Sequence, residues 1–321
     1  MYSDREHGSK IAIVGAGSVG ASIAFAISIN QLCNELVLID SNENKAVGEA
    51  MDINHGLPFL GQMLVRAGDY EDCADCNVII LTAGMPRKPG ETRLDLARKN
   101  VSLAHSIVEK IMQHYNGGVI LVVSNPVDVL TYKVTEWTKL PAGRVIGSGT
   151  VLDSARFRYL LSERLAVDVK NIHGYIIGEH GDSQLPVWSR THIAGMSIDD
   201  FCKGTGITFS QADRDEVARQ VRVAGADIIK AKGATFYGIA VMVNTIVESI
   251  LNGASTIRTV GSAMNGAYGL HNVALSSPSI VNANGVQTVL EFDLTPAELQ
   301  QLHASADSVR AVLEQVKDLR P

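Results

Sequence analysis

Three stretches of the sequence concentrate side chains able to do acid–base chemistry or bind anions. The first is Gly178-Glu179-His180-Gly181-Asp182-Ser183, a histidine between glycine-flanked acids, following the apolar pair Ile176-Ile177. The second is Asp153-Ser154-Ala155-Arg156-Phe157-Arg158; on a helix, Asp153 and Arg156 share a face at i,i+3. The third, residues 83–96, is rich in Gly and Pro and carries Arg87 and Arg93. Placed after an apolar run of strand length, it reads as a mobile lid, because ligands in parallel sheets bind beyond the strand ends. Histidine is the side chain suited to proton exchange near neutral pH. The other histidines singled out (His55, His105, His114, His192, His271, His303) lack such surroundings and read as packed or surface residues.

A fourth constellation points to a dinucleotide. Gly15-Ala16-Gly17-Ser18-Val19-Gly20 follows the apolar run Lys10–Val14 and opens a helical pattern reaching about Asn30; Asp40 ends the next run. A lone G-x-G-x-x-G is weak, but strand, turn, helix and acid in this order are the context it requires. Gly15 permits the tight turn, Gly17 lets backbone approach a pyrophosphate at the helix N-terminus, and Gly20 lets helix and strand pack closely. Asp40 can accept hydrogen bonds from ribose hydroxyls and would repel a 2′-phosphate, so NAD is expected rather than NADP.

The elements that must position these residues fall into two halves. Continuous apolar runs at 10–14, 36–39, 78–81 and 119–123 alternate with helical patterns, as parallel strands covered on both faces do. Beyond a boundary near residue 148, helical patterns cover 151–165 and 213–252. A hairpin is expected around Asn284-Gly285, between Ile280-Val281 and a run at 286–292. The chain closes on a helix with Thr295 as N-cap, Pro296 at N1 and Glu298 completing a capping box. The expected fold class is α/β: a doubly wound Rossmann sheet (1–148) with an α+β substrate lobe (149–321).

Bulk properties exclude several classes. A chain of 321 residues is long for a single core. A net charge of -6 argues against nucleic acid, so attraction for an anionic substrate must come from local arginines. The polar segment before Lys10 has no signal-peptide core, and the apolar stretch 19–29 is too short to span a bilayer, so a soluble, cytoplasmic protein with no membrane association is expected. Four cysteines do not make a disulfide framework. Cys73 and Cys76 run straight into an apolar strand without a second ligand pair and read as two ordinary thiols, so no metal is expected. None of the eight tyrosines has Lys four residues later, which disfavours the short-chain dehydrogenases.

Together with Val123-Ser124-Asn125-Pro126-Val127-Asp128, these segments resemble the L-lactate/L-malate dehydrogenase family over essentially the whole chain. The resemblance implies His180 as general acid/base, Asp153 fixing its tautomer, Arg156 binding the substrate carboxylate, and Arg93 polarising the carbonyl from the lid. It also implies Asn125 beside the nicotinamide and substrate oxygen, Thr235 against the substrate side chain, and Val19, Thr82, Gly84 and Ser124 among the cofactor contacts. The position that sorts substrates in the family is Arg87, as in malate enzymes. A lone guanidinium facing a methyl group in a dry site would cost several kcal/mol. Glu179, residues 91–96, the run Asn54-His55-Gly56-Leu57-Pro58-Phe59 and residues 232–238 instead resemble lactate enzymes. Pyruvate/L-lactate is the expected pair, with Glu91 neutralising or turning Arg87; oxaloacetate/L-malate is the alternative, bulkier 2-hydroxy acids follow, and a non-catalytic NAD-binding protein is a further one. Arg158 and His173 match positions where bacterial lactate enzymes bind fructose 1,6-bisphosphate. The resemblance implies a homotetramer, or at least a dimer.

Overall fold

The apolar runs of the first half form the middle of one sheet. In the computed structural model, which describes residues 8–86, 90 and 92–319 (Arg93 by its backbone), β1 (Lys10–Val14), β4 (Val78–Leu81) and β5 (Val119–Val122) are buried along their whole length. β2 (Glu35–Ile39) and β3 (Leu64–Ala67) continue the sheet on one side, β6 (Val145–Gly147) on the other. β1 pairs in parallel with both β2 and β4, so the strand order reverses at β1/β4, the switch point where doubly wound sheets bind ligands.

Period-two alternation assigns each strand to two cores. Ile11, Ile13, Leu36, Leu38, Ile80 and Leu121 meet α1 (Ser18–Ile29), α2 (Glu43–Gly56) and a late helix, Tyr237–Leu251. Ala12, Val14, Val37, Ile79, Ile120 and Val122 meet α3 (Arg93–His114), α4 (Val127–Thr138) and the C-terminal helix Pro296–Gln315. A separate core joins α5 (Val151–Leu165), through Phe157, Leu161 and Leu165, to Val217 and Val221 of the helix Gln211–Lys232.

The second half holds α6 (Ile198–Thr205), α7 (Gln211–Lys232), α8 (Tyr237–Leu251) and α9 (Pro296–Gln315). The helical pattern expected over 213–252 is two helices: α7 ends on Gly233, a left-handed cap at φ 87°, and α8 starts after Phe236. The expected hairpin forms as Ser279–Asn282 and Gly285–Val289, and the Thr295/Glu298 capping box is present. Glu298 also accepts from the Ser189 backbone N–H and hydroxyl at 3.0 and 2.6 Å, so one buried carboxylate caps a helix and ties it to another segment. A feature not read in the sequence is a second hairpin, Gly261–Asn265 with His271–Ser276. It extends the main sheet to eight strands through the pair Gly261/Gly147. The half that follows β6 is thereby locked to the first half by backbone pairing as well as by side chains.

Candidate active site

The β1–α1 turn is shaped by what its glycines exclude and admit. Gly15 sits at φ 108°, and a Cβ there would lie 2.6 Å from the Ala83 backbone nitrogen. A Cβ on Gly20 would lie 1.9 Å from the Gly15 carbonyl oxygen. At Gly17, the N-cap of α1, a Cβ would meet nothing within 4 Å, and the first helical turn has neither a side-chain cap nor an acidic residue. The N–H groups of that turn lack a side-chain cap and Gly17 leaves the space beside them open, an arrangement suited to a phosphate. Thr82 Oγ1 donates to the Gly15 carbonyl at 2.7 Å, tying the end of β4 to the turn. Asp40 receives the Ala16 and Asn42 N–H groups at 2.7 and 2.9 Å, which fixes its carboxylate beside the turn.

Gly15, Gly17, Asp40, Thr82 and Gly84 line one cleft of about 440 Å³. Its shape and donor set fit a dinucleotide: backbone donors at the helix start, an acid placed for ribose hydroxyls, and Tyr70, Leu103 and Ile107 as apolar walls. Gly20 packs beneath the turn, and Val19 packs on the core below it. Ser124 braces the rim, donating to the Ala83 carbonyl at 2.7 Å.

A second cleft, of about 280 Å³, collects Asn125, Asp153, Arg156, His180 and Thr235. Asp153 lies in the first turn of α5 with its side chain 2% exposed. It bridges two cations: Oδ2 lies 2.6 Å from His180 Nδ1, and Oδ1 accepts from Arg156 Nη1 at 3.1 Å. Burial pushes the Asp153 carboxyl up, but the charges of His180 and Arg156 outweigh it and hold the group below its usual range. His180 responds in the opposite sense. The Asp153 charge raises the imidazole to about 9, against the opposing effect of burial. With Nδ1 engaged, Nε2 makes no hydrogen bond to any described residue, and the ring is 29% exposed in the cleft. An imidazole held this way can give a proton to an oxygen in the cleft, and Arg156 keeps N–H groups for a carboxylate.

His180 is carried by a loop pinned at several points. Gly178 exchanges backbone hydrogen bonds with Ser276 at 2.9 and 3.0 Å. The Glu179 N–H donates to Ser305 Oγ at 2.8 Å, and the His180 N–H to Asp128 Oδ2 at 2.7 Å. Asp128 and Asn100 are site residues the sequence reading did not single out. Asn100, 4% exposed, receives the Met85 N–H at 2.8 Å and donates to the Asn125 carbonyl at 2.7 Å, tying the start of the 83–96 segment to Asn125. Arg222 of α7 also lines the catalytic cleft.

Arg93 starts α3, directly after the Thr92 N-cap, whose capping box includes Asp95. Arg87 and Glu91 lie outside the described residues. Arg158 is two residues beyond Arg156 on α5 and half-buried; burial lowers its guanidinium pKa, the charge of Arg258 adds to that, and Tyr175 opposes it. His173 is exposed on a short strand paired with His192. Cys73 and Cys76 are both buried free thiols; burial pushes Cys73 up to about 12 and Cys76 further. Among the described residues, no helix is long and apolar enough to cross a membrane.

Residues 9–147 match the lactate/malate dehydrogenase NAD binding domain, and residues 150–320 match the lactate/malate dehydrogenase alpha/beta C-terminal domain. The chain is 48% identical to an L-lactate dehydrogenase of Priestia megaterium over 309 residues, 96% of each chain. It is 46% identical to an L-lactate dehydrogenase of Thermoanaerobacter pseudethanolicus over 308 residues, 96% of this chain and 99% of that one. Among solved structures, an L-lactate dehydrogenase from Clostridium thermocellum is 59% identical with a TM-score of 0.86, covering 97% of this chain and 100% of that one. The ligand-bound minor L-lactate dehydrogenase of Enterococcus mundtii superposes with a TM-score of 0.93 at 42% identity, covering 97% and 99%. With a dinucleotide cleft at the sheet switch point and a histidine–aspartate–arginine cluster in an adjoining cleft, the chain belongs to the lactate/malate dehydrogenase family, enzymes that transfer hydride to and from NAD.

Proposed function

We propose that the protein is an L-lactate dehydrogenase, reducing pyruvate to L-lactate and running the reverse reaction with NAD. The observation that carries this reading is the bond from His180 to the buried Asp153, with Arg156 on the same carboxylate, opening into one cleft. When bound, NADH supplies the hydride. Gly15, Gly17, Val19, Gly20, Asp40, Thr82, Gly84, Ser124 and Asn125 would hold it.

The other events belong to side chains. Arg156 binds the substrate carboxylate; its planar fork orients the acid so that the keto oxygen meets His180 Nε2. His180, charged below about pH 9, gives that oxygen a proton as it gains negative charge. Asp153 accepts the Nδ1–H, which leaves Nε2 facing the cleft, and stabilises the imidazolium. Arg93, at the start of α3, would polarise the carbonyl, Asn125 would hold the substrate oxygen from the nicotinamide side, and Thr235 would line the pocket for the methyl group. A His180→Gln substitution tests the assignment. Pyruvate reduction should fall at least about a thousandfold while NADH fluorescence titration shows unchanged affinity, because proton transfer and orientation act in the transition state. Near wild-type turnover would contradict it.

Oxaloacetate/L-malate is the second reading, and Arg87 is the residue that favours it. In the lactate reading Glu91, four positions along the same segment, pairs with Arg87 or draws it outward. Then Glu91→Ala shifts preference toward oxaloacetate; a variant that still strongly prefers pyruvate removes that role for Glu91. We further infer that the chain divides near residue 148 into a nucleotide lobe (1–148) and a substrate lobe (149–321), and that the enzyme is a cytoplasmic homotetramer. Arg158 and His173 would receive fructose 1,6-bisphosphate. The charge of Arg258 acting on the half-buried Arg158 supports an anion there. Activation by the bisphosphate that is lost in Arg158→Gln would agree; equal activation in that variant would not.

A further inference from the structure

The proposed reaction uses Asp153 but not a second carboxylate behind the same histidine. Asp128 stands in the first turn of α4 and is 3% exposed. Its Oδ2 accepts the His180 backbone N–H at 2.7 Å across 52 positions of sequence. Its Oδ1 is buried and has no hydrogen-bond partner among the described residues. A Cβ on Gly261 would stand 3.6 Å from that oxygen.

A purely structural acceptor would not need this group. One backbone N–H could be met by a neutral oxygen, whereas a carboxylate with an oxygen unmet is a costly thing to bury. The cost makes sense if the charge is used by the imidazole beyond the bond. The ionisable groups acting on Asp128 are His180, Glu179 and Asp153. Burial pushes its carboxyl up to about 7; the His180 N–H and ring pull it down, and the two acids push it up. In return, Asp128 adds to the rise of the His180 imidazole, after Asp153.

We propose that Asp128 is a positioning residue for His180: its buried carboxylate grips the histidine's backbone N–H from α4 and keeps the imidazole aligned between Asp153 and the cleft. The histidine is thus held from two sides, its ring by α5 and its backbone by α4. α4 begins directly after Pro126, next to Asn125 on the wall of the same cleft, so one helix start places both the substrate-facing amide and the histidine clamp.

The inference rests on His180 being the proton donor, and the test separates the two. Asp128→Asn keeps an acceptor for the N–H and removes the charge; Asp128→Ala removes both. In steady-state pyruvate reduction, Asp128→Ala should lower kcat about 10- to 100-fold, with KM for pyruvate and NADH changed less than about threefold. Asp128→Asn should recover most of that kcat. In both variants, the pH at which activity falls on the basic side should move down, which a merely structural role would not produce. Should Asp128→Ala not fold, Asp128→Asn carries the test through that shift alone. Wild-type kcat and an unmoved basic limb in the variants would overturn the inference, as would losses that follow thermal stability with the limb unmoved. His180→Gln serves as the reference: if it is inactive while the Asp128 variants are unaltered, only this inference fails, and if it is active, the proton-donor assignment itself fails.

Discussion

Asp153→Asn is the sharpest perturbation of the site, because the structure gives both the direction and the size of the effect. His180 rises from 6.5 to about 9, with the Asp153 charge as the largest cause. A shift of that size corresponds to roughly 3 kcal/mol between the two protonation states. Pyruvate reduction needs charged His180, so wild-type kcat/KM should hold through neutral pH and fall as pH rises through about 9. In Asp153→Asn the fall should move down by about two pH units. At pH 7 protonation alone then costs only a few-fold; loss of the tautomer and orientation adds up to about 10⁴ in kcat. Stability follows the same linkage. The folded-state pKa of His180 is raised, so the pair's contribution is fully present below about 6.5, the unfolded value, and is lost as pH rises through about 9. Asp153→Asn should therefore destabilise more at pH 6 than at pH 10 in denaturant titrations. NADH absorbance traces across pH provide the kinetic assay. A variant that keeps the wild-type basic limb would refute the argument that Asp153 sets the charge of His180.

Three further predictions concern the dinucleotide cleft. Gly17→Ala should leave thermal stability nearly unchanged, since its Cβ meets no protein atom within 4 Å, yet weaken NADH binding about tenfold or more by occupying the phosphate approach. Gly20→Ala should lower the melting temperature, because its Cβ would lie 1.9 Å from the Gly15 carbonyl, and weaken NADH binding as well through the displaced turn. A Gly17→Ala variant that loses as much stability as Gly20→Ala would contradict the open space at Gly17. Asp40→Ser should reduce the preference for NADH over NADPH about tenfold or more in kcat/KM by removing the charge that repels a 2′-phosphate; an unchanged ratio would place discrimination elsewhere.

Much of this arrangement was legible in the residues because its physics is local. The Gly15–Gly20 turn, the apolar strands around it, the i,i+3 relation of Asp153 and Arg156, and the Thr295/Glu298 box each lie within a short window. What escaped depends on contacts between distant parts. The strand Gly261–Asn265 has small residues and no β-branched run, so its place beside Gly147 follows from tertiary pairing alone. The break after Lys232 turns on one glycine within an otherwise helical stretch, where periodicity resumes after four residues. Asp128 reads locally as an acid suited to a helix N-terminus; its bond to the His180 backbone exists only in the fold. Asn100 likewise looks like an ordinary polar position within α3, although it is buried against Met85 and Asn125.

The substrate is the point at which local residues pull apart, with Arg87 favouring a second carboxylate and the wider chain favouring pyruvate. The most direct test is kcat/KM for pyruvate and for oxaloacetate with NADH, measured side by side with and without fructose 1,6-bisphosphate. Pyruvate should be clearly preferred in both conditions. A preference for oxaloacetate in both would contradict it and make Arg87 the residue that sets the reaction.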